Sequence, residues 1–224
     1  MARIHVPASG RATPRRNEDE TVTLADGAEL RISRLTPADA PVLADGFARL
    51  SAESRRLRFL TAKPTLTPAE LRYLTEVDGH NHEALGAVDP LSERGVAVAR
   101  FVRDERDPTR AESAITVADD WQRRGVGKLL LERLADRARA EGITRFTALV
   151  SGDNRGMQAL VRHLGPVHVA QLTGGTYEYE VELGHRGLAE QLEAALRAAA
   201  AGKLPLPPRL WEALRNLVPL HFGR

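Results

Sequence analysis

The most constraining feature of this sequence is a short glycine-containing turn between a β-type run and a helical run. Residues 115–117 read Ile-Thr-Val, residues 122–127 read Gln-Arg-Arg-Gly-Val-Gly, and residues 127–140 repeat apolar side chains at helical spacing. Only a few residues separate the two periodicities. The pattern therefore predicts a strand that passes through a tight turn into the start of a helix.

A turn of this kind predicts an anion-binding site. The first N–H groups of a helix have no acceptor within the helix, and the helix dipole makes that end partially positive. Glycines at 125 and 127 would let the backbone approach a ligand closely. A diphosphate suits such donors. The sequence has neither a Rossmann glycine fingerprint nor a Walker P-loop, so dinucleotide and nucleoside triphosphate sites lose support.

The pattern along the chain predicts an α/β (α+β) domain that opens with a β-hairpin. Three helical pieces follow in residues 36–77, and three β-type runs in residues 82–117 are typical of an antiparallel meander. After the helix at 127–140 come a strand, a helix headed by Asn154 and a closing pair of strands. We therefore expect a mixed, mostly antiparallel central sheet flanked by helices.

The chain divides into three expected regions. Residues 1–20 lack periodicity and are predicted to form a flexible N-terminal tail. Residues 21–184 form the catalytic-size domain, and residues 185–224 change to an Ala/Leu/Glu-rich pattern that predicts a C-terminal helical extension. The apolar stripes of that extension are typical of faces that pack on the core or on another subunit, which leaves a homodimer open.

Composition excludes several classes of function. The 32 basic and 30 acidic side chains leave a formal charge of +2, which does not favour nucleic-acid binding. The absence of cysteine excludes a thiolate nucleophile or thiolate metal site, and it fits a reducing compartment. No apolar run reaches the roughly 18 residues that a membrane span requires. A cytoplasmic protein is therefore expected.

The turn and its surroundings resemble the GNAT superfamily of N-acyltransferases. Residues 122–127 are similar to its Arg/Gln-x-x-Gly-x-Gly/Ala acetyl-CoA signature, and the order of elements over roughly residues 28–183 agrees. Three further stretches resemble the bacterial protein-lysine acetyltransferases that modify acyl-CoA synthetases: Leu50–Phe59, Thr75–Asp78 and Asp119–Gln122. The resemblance implies a GNAT-type fold that uses acetyl-CoA, or another short acyl-CoA, without a metal.

The resemblance also implies which residues hold the cofactor. The backbone amides of residues 123–128 would bind the pyrophosphate, Ile115 and Val117 would pair with the pantetheine arm, and Asn154 would contact that arm or simply cap its helix. Arg123 and Arg124 would either contact the phosphates of the adenosine moiety or lie on the solvated surface. The candidate cofactor-binding residues are Ile115, Val117, Gln122, Arg123, Arg124, Gly125, Val126, Gly127, Lys128 and Asn154.

Acylation of an amine requires a base, because a lysine ε-amine has an unperturbed pKa of about 10.4. Glu112 is the candidate. It interrupts the apolar run 111–117, which predicts apolar neighbours, and it lies where related acetyltransferases keep a glutamate base. The alternative is a glutamate that faces solvent. Asp119 and Asp120 rank second, because acids beside a turn more often cap it.

Two further observations bear on the chemistry. His80 and His82 with Glu83 suggest either an acid–base or metal cluster or a substrate loop, and a third convincing metal ligand is missing. Many relatives place a tyrosine where this chain has Val161, which cannot protonate the leaving thiolate, so the sequence leaves open whether a side-chain acid exists. We therefore expect direct attack of the amine on the thioester, with a backbone N–H of residues 115–117 stabilising the oxyanion.

The expected function is acetyl transfer to a primary amine. A protein lysine ε-amine, for example of an acyl-CoA synthetase, is the first candidate acceptor. The alternatives are a small-molecule amine and a non-catalytic acyl-CoA sensor. A wide, shallow groove beside Glu112 would favour a protein substrate, whereas a closed pocket lined by Phe47, Phe59 and Tyr73 would favour a small one.

Overall fold

The computed structural model describes residues 19–184 of the chain. Most of the predicted N-terminal tail and all of the predicted C-terminal extension lie outside this range. The strands are β1 (Glu20–Thr23), β2 (Glu29–Arg34), β3 (His82–Asp89), β4 (Arg94–Arg103), β5 (Arg110–Val117), β6 (Arg145–Ser151), β7 (Val167–Gln171) and β8 (Thr176–Glu182). The helices are α1 (Ala40–Arg49), α2 (Ala52–Phe59), α3 (Pro68–Thr75), α4 (Val126–Ala140) and α5 (Arg155–Leu164). No helix of this part of the chain is long and apolar enough to cross a membrane.

The strands form one mixed sheet in the order β1-β2-β3-β4-β5-β6-β8-β7. All neighbours are antiparallel except β5 and β6, which confirms the expected mostly antiparallel sheet and its β3–β4–β5 meander. The predicted hairpin between β1 and β2 turns at Gly27, whose φ of +87° explains the glycine. The fold is therefore α/β (α+β), with a central sheet flanked by helices.

The parallel pair in the middle of the sheet is short. Residues 110–112 of β5 pair with residues 145–147 of β6, and the pairing stops at Glu112. Beyond that point β5 continues to Val117 along β4, whereas β6 continues to Ser151 along β8. The two strands therefore diverge, and we call the wedge between residues 113–117 and 148–151 the β5–β6 gap.

One face of the sheet packs against α4. Alternating residues of the central strands, among them Ala99, Phe101 and Ala111, point into this core, and Phe101 lies 6.0 Å from Phe146 between ring centroids. The buried residues of α4 are Val126, Leu130, Leu131, Leu134, Ala135 and Ala138. This apolar stripe fixes the helix on the sheet, so its N-terminus is held at the wide end of the gap.

The opposite face of the sheet is covered by α1, α2 and α3. Phe47 of α1 and Phe59 of α2 meet edge to face at 5.7 Å between ring centroids, and Arg49 donates to the Gly95 carbonyl of β4 at 2.8 Å. The sequence Thr67-Pro68-Ala69-Glu70 predicts a capping box at the start of α3, and the structure confirms it, because Thr67 and Glu70 exchange backbone and side-chain hydrogen bonds. These helices frame a cleft above β4 and β5.

Asp119 ties α2 to the chain just after β5. Its carboxylate accepts from the Ser51 N–H at 2.8 Å, the Ser51 hydroxyl at 2.9 Å and the Ser54 hydroxyl at 2.6 Å. Partial burial raises the pKa of Asp119, but these hydrogen bonds outweigh that effect and hold the pKa below its usual value. Asp119 therefore completes the cap of α2 from a distant segment, because it holds the N-cap residue Ser51 in place.

Replacing Asp119 by alanine should lower the free energy of unfolding by about 1 kcal/mol at pH 7, the typical contribution of a helix cap. The depressed pKa means that this stabilisation is complete above the unfolded-state pKa of about 3.9 and is lost as the pH falls through the folded-state value. The wild-type advantage should thus persist from pH 7 to 5 and shrink below pH 4. Urea unfolding at several pH values measures it.

Asp120 supplies the matched control, because it is exposed, adjacent in sequence and makes no hydrogen bond to residues 19–184. Asp120→Ala should leave stability unchanged across the same pH range. A loss of stability in Asp120→Ala as large as that in Asp119→Ala would contradict the capping role.

Candidate functional site

The predicted anion turn leaves a row of backbone donors unpaired. Arg123 has a φ of 62°, and Gly125, at 88°, is the N-cap residue of α4. The first acceptor inside the helix is the Gly125 carbonyl, which takes the Leu129 N–H at 3.0 Å. Within residues 19–184 no acceptor is found for the N–H groups of residues 123–128. These donors lie at the positive end of a 15-residue helix, as an anion site requires.

The two glycines of the turn have different roles. At Gly125 a Cβ would meet nothing within 4 Å, so the positive φ alone accounts for glycine there, and the surface in front of it is open. At Gly127 a Cβ would lie 3.2 Å from Leu160 Cδ1 and 3.5 Å from Val117 Cγ2. Gly127 therefore allows the first turn of α4 to pack closely on β5 and α5.

The cations of the turn are not equivalent. Arg124 stacks on the Trp121 ring at 4.0 Å from its centroid and pairs with Asp26 through Nε and Oδ2 at 2.6 Å. Arg123 and Lys128 are exposed and have no carboxylate within 4.0 Å among the residues that the structure describes. Arg123 and Lys128 thus keep their charge for a ligand, whereas Arg124 mainly braces the turn.

Gln122 also braces the turn. Its Nε2 donates to the Val117 carbonyl at 3.2 Å and to the Ser54 hydroxyl at 3.2 Å. The side chain that begins the motif therefore links the turn to β5 and to α2.

The β5–β6 gap exposes one edge of β5. The Ala118 N–H donates to the Val96 carbonyl of the β4 side at 2.8 Å. Because backbone groups alternate along a strand, those of Ile115 and Val117 point to the other side, toward the gap. The bond from Gln122 to the Val117 carbonyl agrees with this direction. An extended ligand could therefore pair with Ile115 and Val117 as a strand would.

Asn154 lies at the far side of the gap, where β6 ends. Its Oδ1 accepts from the Met157 N–H at 3.0 Å, which confirms its role as the N-cap of α5. Beside it, Asp153 pairs with Arg56 of α2 at 2.7 Å. A contact between Asn154 and a ligand in the gap stays a prediction.

Glu112 projects from β5 to the opposite face of the sheet, into a cleft between α2, α3 and strands β4 and β5. The cleft, of about 280 Å³, is lined by Arg58, Phe59, Leu66, Glu70, Tyr73, Leu74, Arg100, Val102, Glu112 and Ala114. Glu112 is exposed, and apolar side chains such as Phe59, Leu74 and Val102 line the same cleft. The alternation of side chains along the strand turns Glu112 and Ala114 of β5 toward the cleft.

The cleft also contains two arginines that sequence patterns did not single out. Arg100 is 5% exposed, its Nη1 has no hydrogen-bond partner within residues 19–184, and its Nη2 contacts His82 Nε2. Burial lowers the pKa of Arg100 to about 10 and also lowers the pKa of the partly buried Arg58, against the nearby charge of Glu112. The sequence signal that could have revealed Arg100 is its charge inside the apolar run of β4.

The residues His80, His82 and Glu83 do not form a cluster. His80 pairs with Glu141, and Glu83, 1% exposed, accepts three hydrogen bonds from Arg34 at 2.5 to 3.1 Å on the other face. His82 contacts Arg100 and the ring of Tyr73, two residues of the cleft, and burial and then the charge of Arg100 lower its pKa to about 4, so it is neutral. No group of three potential metal ligands occurs in the described range.

Val161 stands where the resemblance would place a tyrosine acid. It is buried with Ala148, Val150 and Tyr179 in a small second core. The Val161 side chain packs between α5 and β6 and does not enter the cleft, and it has no proton to donate. The two ends of the site are thus the anion turn and the cleft with Glu112, and the β5–β6 gap lies between them.

Comparisons with known proteins agree with this geometry. The model of the Acetyltransferase (GNAT) family matches residues 52–165. Acetyltransferase Pat of Mycolicibacterium smegmatis is 37% identical over 142 residues, which cover 62% of this chain and 41% of that protein. The chain therefore spans less than half the length of this curated relative.

Two solved structures are similar in fold. The GNAT domain of S. lividans PAT superposes with a TM-score of 0.68 at 29% identity, over 74% of this chain and 97% of that domain. A GNAT superfamily phosphinothricin acetyltransferase (Pat) from Sinorhizobium meliloti, in complex with AcCoA, gives 0.55 at 22% identity, over 71% of this chain and 91% of that one. The family match spans about half of the chain, and the chain belongs to the GNAT family of acetyltransferases.

Proposed function

We propose that this chain transfers an acetyl group from acetyl-CoA, or another short acyl-CoA, directly to a primary amine. The observation that carries the proposal is the β5–β6 gap, which connects an anion turn on one side of the sheet to a carboxylate-bearing cleft on the other. The Sinorhizobium meliloti structure in complex with AcCoA supports the choice of cofactor. A cytoplasmic location is proposed with it, from the absence of cysteine.

The residues present suit this cofactor. The unpaired N–H groups of residues 123–128 would hold the pyrophosphate, and exposed Arg123 and Lys128 would meet the remaining phosphate charge. The edge of β5 at Ile115 and Val117 would pair with the amide groups of pantetheine, as a strand pairs with its neighbour. Asn154 would approach the same arm from the end of β6.

In this proposal Glu112 is the base. It lies in the cleft on β5 one residue before the gap opens, so a thioester that reaches through the gap would arrive beside it. Glu112 would take a proton from the amine, directly or through a water, as the nitrogen attacks the thioester carbonyl. A backbone N–H of residues 115–117 would stabilise the oxyanion. The C–S bond of the thioester would then break and CoA would leave as a thiolate. Because such a thiol has a pKa of about 8.5, no side-chain acid is needed, and water would supply the proton later.

We propose a protein lysine ε-amine, for example of an acyl-CoA synthetase, as the acceptor. Tyr73, at the border of the cleft, is 56% exposed, and Glu112 is exposed as well. An open cleft of this kind suits a side chain presented on a protein surface. A small amine is the second candidate, because Phe47 and Phe59 line an apolar chamber next to the cleft.

Placing a glutamate at Gly125 should abolish binding of CoA. The new side chain would enter the open surface in front of the unpaired N–H groups and would add a negative charge where the pyrophosphate binds. Isothermal titration calorimetry with CoA should show at least a hundredfold loss of affinity, the effect of about 3 kcal/mol.

Gly142 is the matched control. It also has a positive φ, +78°, and a Cβ there meets nothing within 4 Å, but it lies after the other end of α4. Gly125→Glu and Gly142→Glu should therefore suffer a similar backbone strain of about 1 kcal/mol, visible as similar losses of thermal stability. Unchanged CoA affinity in Gly125→Glu would overturn the assignment of the turn.

Glu112→Gln should lower kcat with a lysine-bearing acyl-CoA synthetase by about 10²- to 10⁴-fold, the usual contribution of a general base. Affinity for CoA should stay the same, because Glu112 lies on the far side of the gap from the anion turn. Release of free thiol from acetyl-CoA measures the rate, and calorimetry measures the affinity.

Asp120→Gln is the control, since Asp120 is exposed beside the turn and makes no hydrogen bond to the described residues. Its rate should equal that of wild type. Equal rates of wild type and Glu112→Gln would remove Glu112 from the mechanism. Tight CoA binding without thiol release for any amine would instead favour an acyl-CoA sensor.

A further inference from the structure

Arg58 and Arg100 form a pair of cations that the proposed chemistry does not use. Both line the cleft that contains Glu112. Only 5% of the surface of Arg100 is exposed, and its Nη1 is a buried donor without an acceptor in the described part of the chain. Buried guanidinium donors are almost always paired. An unpaired one that lines a cleft indicates a missing acceptor.

The register of the strands fixes where this acceptor would lie. Arg100 of β4 is opposite Ala114, and Glu112 is opposite Val102, so Arg100 and Glu112 are diagonal neighbours on one face of the sheet. Neither arginine has a carboxylate oxygen within 4.0 Å among residues 19–184. An anion held by Arg100 would therefore lie within one side-chain length of the proposed base.

The charges around the cleft set the charge of the ligand. Lys63 and Glu70 pair with each other, and His82 is neutral because its pKa is lowered to about 4. Arg58 and Arg100 together contribute two positive charges and Glu112 one negative charge. The balance is one positive charge, which a single carboxylate would neutralise and a dianionic phosphate would exceed.

We propose that Arg58 and Arg100 bind a carboxylate of the acceptor that lies next to its reactive amine. The proposal rests on the acetyltransferase function proposed above and narrows its substrate. In a protein, the group would be an Asp or Glu side chain near the target lysine. In a small molecule, it would be the α-carboxylate of an amino acid. Guanidinium groups recognise carboxylates through charge-assisted hydrogen bonds.

The same pair would also position the amine. The bound carboxylate would orient the acceptor, so that its amine faces the gap.

The test uses three lysine peptides that differ at one neighbouring residue, which is Glu, Gln or Lys. Binding is measured by calorimetry without acetyl-CoA, so that the result does not depend on turnover. Wild type should bind the Glu peptide about tenfold more tightly than the Gln peptide, the effect expected of one charge-assisted hydrogen bond, and the Lys peptide most weakly. Free lysine against lysinamide forms the small-molecule arm.

Arg58→Gln should bring the affinities for the Glu and Gln peptides close together, whereas Arg56→Gln should keep the difference. Arg56 is the matched control, because it lies on the same helix but pairs with Glu53 and Asp153 outside the cleft. Arg100→Gln should act like Arg58→Gln. Because Arg100 is buried, circular dichroism checks that the Arg100→Gln variant folds. The Arg58→Gln variant and the peptide series test the proposal even if the Arg100→Gln variant does not fold.

Equal affinities of wild type for the three peptides, together with equal affinities for lysine and lysinamide, would overturn the proposal. A difference that survives in Arg58→Gln and Arg100→Gln would overturn it as well. A preference for the carboxylate in only one arm identifies its source and supports the site. Absence of thiol release from acetyl-CoA would refute the proposed function, while a carboxylate-dependent affinity lost in Arg58→Gln would still establish the site.

Discussion

The site depends on one interruption of the sheet, the end of the β5–β6 pairing at Glu112. A continuous sheet would separate α4 from the cleft and would use the backbone groups of Ile115 and Val117 internally. Because the strands diverge, those groups face an open wedge, and this wedge connects the two faces of the sheet. Each proposed role, from pyrophosphate binding to proton removal, concerns a residue at one end or along one wall of that wedge.

The divergence leaves polar groups to be satisfied, and neighbouring residues satisfy part of them. Gln122 donates to the Val117 carbonyl, and the Ser113 hydroxyl donates to the Thr147 carbonyl at 3.2 Å where the strands begin to separate. An unpaired backbone group is tolerable only where water or a ligand reaches it. The apolar packing of α4 against the sheet keeps the wedge from collapsing, because it holds the strands on that side. These hydrogen bonds and the packing of α4 therefore both stabilise the β5–β6 gap.

Much of the fold could be predicted from the sequence, because strand periodicity, the glycine turn and the capping box at Thr67 are local signals. The cleft could not, because Arg58 and Arg100 lie 42 positions apart and meet only through strand register and the packing of α2. The sequence left the exposure of Glu112 open for the same reason, since its run does not show which face of the strand is open. Asp119 caps a helix 68 residues before it, and no local pattern predicts such a partner.

Helix α2 connects the two halves of the site. At its start, Ser51 and Ser54 bind Asp119, and Gln122 joins the same group, so the helix is tied to the turn that would hold the cofactor. Farther along, Arg56 reaches Asp153 beside the end of β6. The last turn of the same helix carries Arg58 into the acceptor cleft. A shift of α2 would therefore move the acceptor-binding arginine and the two walls of the gap together, which makes acceptor recognition and cofactor seating parts of one structural unit.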